Sequence, residues 1–75
     1  MSANEWTAFD KGPAERGDYS IRVVSRDGRT RELKAWHNPS TKHWMIDGKE
    51  VGYMNIIALP DEPKEWQIVH YKKDV

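Results

Sequence analysis

The chain has 75 residues, no cysteine, and 12 Lys plus Arg set against 12 Asp plus Glu. A domain of this size buries only roughly 60% of the surface its unfolded chain exposes, which leaves no spare core for a ligand chamber. Disulfide staples and thiolate zinc sites are excluded, and a balanced charge gives no overall field for nucleic acid or an anionic membrane.

The start, MSANEWTAFDKG, does not read as an export signal, and no apolar run approaches the ~20 residues of a membrane span, so a cytoplasmic protein is expected. Asn4 is placed to cap one helical turn that brings Trp6 and Phe9 onto one side, with Lys11-Gly12-Pro13 stopping it. Pro13-Ala14-Glu15-Arg16-Gly17 reads as a single turn ended by glycine. Residues 1–17 are therefore expected to form a hydrophobic anchor lying across a sheet.

The sheet follows. Asp18 to Ser25 alternates Tyr19, Ile21 and Val23 against polar neighbours, as a half-buried strand requires. Asp27-Gly28 tolerates the positive φ of a tight hairpin turn. Thr30 to Trp36 returns, with Arg31, Leu33 and Ala35 on one side and Thr30, Glu32, Lys34 and Trp36 on the other. Asn38-Pro39-Ser40-Thr41 makes the next turn, and Lys42 to Ile46 a third strand. Asp47-Gly48 turns again, and Gly52 to Leu59 is nearly continuous in apolar residues, so it is expected to be a central fourth strand. Pro60 and Pro63 end it, because neither can donate to a ladder. Trp66 to Tyr71 is expected as a fifth strand at an edge, followed by a charged tail.

The expected fold is thus mainly β, with an α+β variant left open: a small twisted antiparallel sheet of 4–5 strands, open or partly rolled. At most a short N-terminal helical turn is added. The chain is one domain, with the anchor at 1–17, the sheet core at 18–59, and a proline-bounded segment and C-terminal strand at 60–75. Its core is expected to gather Trp6, Trp44 and Trp66 with Tyr19, Ile21, Val23, Leu33, Ile57 and Leu59, since each indole buries on the order of 200 Å².

The order of these landmarks resembles a family of small phage and prophage proteins of unknown function. Trp6 resembles the family's opening tryptophan, Pro13-Ala14-Glu15-Arg16-Gly17-Asp18-Tyr19 its P-x-x-G-x-Y loop with a residue more, and Asp27-Gly28 its hairpin. Lys42-His43-Trp44 is similar to its K-x-W strand, and Leu59-Pro60-Asp61-Glu62-Pro63 to its terminal signature. The likeness covers about residues 5 to 66 and departs at Ile56 and Ala58, where the family carries tryptophan and proline. It implies a viral association and supplies no chemistry for any residue.

No G-x-S-x-G elbow, G-x-x-x-x-G-K loop, H-E-x-x-H pair or base-supported nucleophile occurs in the chain, so no enzyme and no cofactor are expected. His37, His43 and His70 lack the spacing that pre-arranges metal ligands. Function then falls to surface contacts, and the candidate partner-binding residues are Arg22, Arg29, Arg31, Lys34, Trp36, Asp61 and Glu62. The first expectation is a protein that binds and inhibits or modulates a host macromolecular complex, such as a CRISPR-type defence complex or the transcription machinery. The alternative is a nucleic-acid-binding module using the basic hairpin from Arg22 to Trp36, in which cations grip phosphate and Trp36 stacks on a base. A third is self-association as a homodimer through an uncovered edge strand.

Overall fold

The computed structural model describes residues 6–62 and 64–74. Of the expected features, the Asn4 cap and Pro63 lie outside the described residues.

In β2 (Gly17–Ser25), Tyr19, Ile21, Val23 and Ser25 are buried and the residues between them lie outward. The side-chain period of 2 therefore reads directly as inside and outside. The Ser25 N–H donates to the Arg29 carbonyl at 2.8 Å and the Gly28 N–H to the Ser25 carbonyl at 3.1 Å. The hairpin loop is thus Arg26-Asp27-Gly28, with Gly28 at φ 88° closing a type I turn as a bulge. This sets Val24 opposite Thr30 and fixes the register through to Gly17 opposite His37. The return strand, β3 (Thr30–Asn38), turns Ala35 and His37 fully inward and Leu33 partly so. Helix-compatible residues such as Glu32 and Lys34 are held extended because a one-residue slip would move every inward side chain to the solvent.

β4 (His43–Ile46) and β5 (Lys49–Tyr53) form the next hairpin, joined by Asp47-Gly48 with φ of 53° and 76°. Here the structure corrects the expected single strand from Gly52 to Leu59. The chain turns at Met54-Asn55, with Met54 at φ 59°, and resumes as β6 (Ile56–Ala58). Gly52 makes this tight hairpin sterically feasible: a Cβ there would lie 2.1 Å from the Ile56 carbonyl oxygen and 2.5 Å from the Ile57 Cα. The Trp44 indole N–H donates to the Met54 carbonyl at 2.6 Å and holds the turn in place.

β7 (Glu65–Lys73) is not an edge strand. One of its sides pairs with β2 from Tyr19 to Ser25. Its other side is shared between β6, at Glu65–Gln67, and a short β1 (Thr7–Ala8), at His70–Tyr71. The order β7-β2-β3-β4-β5-β6 therefore returns to β7, closing a six-stranded antiparallel barrel with β1 as an extra strand. All-antiparallel β structure is as expected, but the open sheet of 4–5 strands is replaced by a closed one. Closure satisfies edges that an open sheet of this size would leave exposed. No helix occurs among the described residues, so the expected N-terminal helical turn is a strand instead.

Tyr19, Ile21, Val23, Ala35, Trp44, Val51, Ile57, Leu59, Trp66 and Ile68 fill the interior. Trp6 does not join them. With the segment extended, Trp6 and Phe9 lie on opposite sides: Phe9 packs at the core with its ring 5.9 Å from that of Tyr71, while Trp6 lies on the outer wall. A bulge at Val69 on β7, opposite Arg22 and Val23 of β2, shifts the inward set on β7 from Trp66 and Ile68 to Tyr71 and Lys73. Lys73 closes that end, 2.9 Å from the Glu15 carboxylate and 5.5 Å from the Tyr19 ring centroid.

Candidate functional site

The seven residues expected to contact a partner separate into two groups. Arg31 points along the inner side of β3 toward the barrel's end, with its guanidinium 5.9 Å from the Trp66 ring centroid. Its Nη1 lies 3.4 Å from both Asp61 and Glu62, and Arg29 lies 3.2 Å from Glu62. Lys64 and Asp27 stand 3.9 Å apart beside them. Four candidates, Arg29, Arg31, Asp61 and Glu62, are thus engaged with one another. They tie the segment after β6 to the tip of the β2–β3 hairpin, as a clasp across the barrel's end. Leu59 and Trp66, both buried, anchor the two ends of that segment.

Arg22, Lys34 and Trp36 lie on the other side, on the outer wall. Arg22 is 3.1 Å from Glu32, its cross-strand partner, and its guanidinium stands 4.3 Å from the Trp6 ring centroid. Lys72 approaches the same ring at 4.8 Å. Trp6 is therefore flanked by two cations, an arrangement that holds the N-terminal segment against the wall.

Trp36 is half-buried, and among the described residues none of the N-terminal segment lines its surroundings. Its cross-strand neighbours are Asp18 on β2 and Met45 on β4. With Lys34, Ala35, Ile46, Asp47, Gly48 and Asp74 these residues line a shallow groove on the barrel's outside. Lys34 lies 3.6 Å from Asp74, and the Asp74 N–H donates to the Asp18 carbonyl at 3.0 Å, so the far wall is fixed by β7. The groove has an apolar floor and carries Asp18, Asp47 and Asp74 against one lysine. Sequence reasoning did not gather the three aspartates, because they come from a strand start, a turn and the residue that follows β7. Asp18 alone was legible, given the hairpin's true register.

A second exposed apolar feature lies at the β5–β6 hairpin, where Tyr53 is 55% and Ile56 39% exposed. The expectation of a strand covered on both faces hid it.

The three histidines are dispersed. His37 is buried, its ring centroid 4.3 Å from that of Trp44, and burial with the nearby Lys42 charge holds its pKa below the usual 6.5. His43 Nε2 lies 2.8 Å from Glu50. Among the described residues no three His, Asp or Glu side chains gather as a metal site. Among the described residues no helix is long and apolar enough to cross a membrane. Comparison with protein-family models, curated proteins and solved structures finds no match to this chain.

Proposed function

We propose that this chain is a non-enzymatic binding protein that acts by occupying the surface of a macromolecular partner. The observation that carries the reading is the half-buried Trp36, held by β2 and β4 in an outward groove while the barrel interior is filled by its own side chains. Large aromatic residues set among polar rims are the anchors of protein interfaces. Inhibition by occlusion needs only about 800 Å² per partner, which a domain this small can present. The likeness to small phage proteins makes a host complex, of defence or transcription, the partner class we favour, with the cytoplasm as its place of action.

The test is affinity capture from a host lysate with the intact chain and with Trp36→Ala. A partner retained by the first and lost with the second supports the reading; no specific partner under any condition removes it. The nucleic-acid alternative has fewer free cations than the sequence suggests, since Arg29 and Arg31 face Asp61 and Glu62. A titration against DNA and RNA at two salt concentrations decides it, because phosphate binding weakens steeply with salt.

A further inference from the structure

The β2–β3 ladder has a consequence on its opposite side. The Ser25 N–H bonds the Arg29 carbonyl, so Ser25 and Arg29 are a hydrogen-bonded pair. Antiparallel ladders alternate such pairs with non-bonded ones, and the register then assigns Arg31, Leu33, Ala35 and His37 to bonds with β2. Thr30, Glu32, Lys34, Trp36 and Asn38 turn their N–H and C=O groups the other way. β4 meets that side only from Trp36, opposite Met45, to Asn38, opposite His43. The next position along β4 that Lys34 would bond falls at Asp47, where the chain has already turned toward β5. Among the described residues no backbone hydrogen bond is made by Glu32 or Lys34 on this side. The barrel is closed by β6 and β7, yet along Glu32 to Lys34 it presents a short length of open sheet edge.

That open edge borders the Trp36 groove, which shares Lys34 with it. We propose that this edge and groove form one docking site for an extended, basic segment of a partner protein. The segment adds as a short strand beside β3 and lays a lysine or arginine side chain on Trp36. Main-chain bonds to Glu32 and Lys34 supply the attachment, as in other cases of strand addition. Asp18, Asp47 and Asp74 outnumber Lys34 around the indole and select a cation, which the ring face also attracts.

A second copy of this chain fits the same edge less well. Centred on Leu33 across a two-fold axis, the copy sets its own Thr30 opposite Trp36, the position that Met45 holds. Centred on Glu32, it places two carboxylates directly opposite each other, which is destabilising. A peptide can end before the Asp47-Gly48 turn, which a barrel cannot.

The docking site rests on the binding-protein reading and adds to it the partner's chemistry. The experiment titrates the full chain with three synthetic peptides, followed by amide chemical shifts. The first alternates lysine and valine, the second alternates glutamate and valine, and the third is the lysine peptide methylated on alternate backbone nitrogens. The expected result is binding of the first alone, with the largest shifts at Glu32, Lys34 and Trp36. Lys34→Pro removes an edge N–H without touching the β2 ladder, and Trp36→Ala removes the ring; each is expected to weaken binding about tenfold or more. If Lys34→Pro fails to fold, Trp36→Ala and the methylated peptide decide the same question. Equal binding of the glutamate peptide, shifts elsewhere on the barrel, or no binding of the lysine peptide overturns the proposal. A lysate partner captured equally by the intact chain and by folded Lys34→Pro also overturns it, while leaving the binding-protein reading standing.

Discussion

The guanidinium of Arg31 stands 5.9 Å from the centroid of the Trp66 ring while its Nη1 lies 3.4 Å from the carboxylates of Asp61 and Glu62. One side chain therefore joins the hairpin tip, the last core tryptophan and the proline-bounded segment. Arg31 and Glu62 are mostly shielded, with side chains 33% and 26% exposed, so their contact is partly protected from solvent screening. Arg31→Ala is expected to cost about 1 kcal/mol in urea unfolding, with a coupling to Glu62→Ala in a double-mutant cycle that shrinks in high salt. Full additivity of the two substitutions would deny the clasp.

Gly52 is expected to be irreplaceable for a steric reason. Its missing Cβ is what lets the Ile56 carbonyl approach, so Gly52→Ala must push β5 and β6 apart. A loss of about 3 kcal/mol in chemical denaturation is expected, at the upper end of overpacking effects. An unchanged unfolding midpoint would contradict the close packing of this hairpin.

Trp44→Phe keeps most of the buried ring and removes the donor to the Met54 carbonyl. A loss of about 1–3 kcal/mol is expected, since a shielded acceptor loses its partner. Faster amide exchange at Met54, whose own N–H bonds the Lys42 carbonyl at 2.9 Å, should accompany it.

Acidification should destabilise the fold through His37. Burial, and then the Lys42 charge, keep its folded pKa below 6.5, so the unfolded chain takes up a proton first. Stability from this group is complete above about pH 6.5 and declines as pH falls toward the folded value. Thermal unfolding of the intact chain between pH 7 and 5 should show that decline, and His37→Phe should flatten it. The same slope in both proteins would assign the effect elsewhere.

These residues also show how far the amino-acid order reveals the fold. The β2–β3 hairpin was legible because Tyr19, Ile21 and Val23 alternate without interruption before a single Asp-Gly turn. The β5–β6 turn was not: Met54 in a left-handed conformation carries no composition signal, and apolar Ile56 and Ile57 masked the break around Asn55. Closure by β7 was equally hidden, because the bulge beside Arg22 and Val23 interrupts its period midway, and pairing on its second side depends on contacts distant in sequence. At the candidate site, Trp36 could be placed outward from alternation alone. The pairing of Arg31 with Asp61 and Glu62, across about thirty residues, could not.

Backbone amide exchange tests the central claim most directly, that this chain is a closed barrel with a short length of open edge on β3 at Glu32 to Lys34. The Ile68 N–H bonds the Asn55 carbonyl at 2.7 Å only where the β5–β6 turn meets β7. Slow exchange at Ile68 and at Leu33, with fast exchange at Glu32 and Lys34, is the predicted pattern. Fast exchange at Ile68 would contradict closure, and protection of Glu32 and Lys34 in the free protein would contradict the open edge.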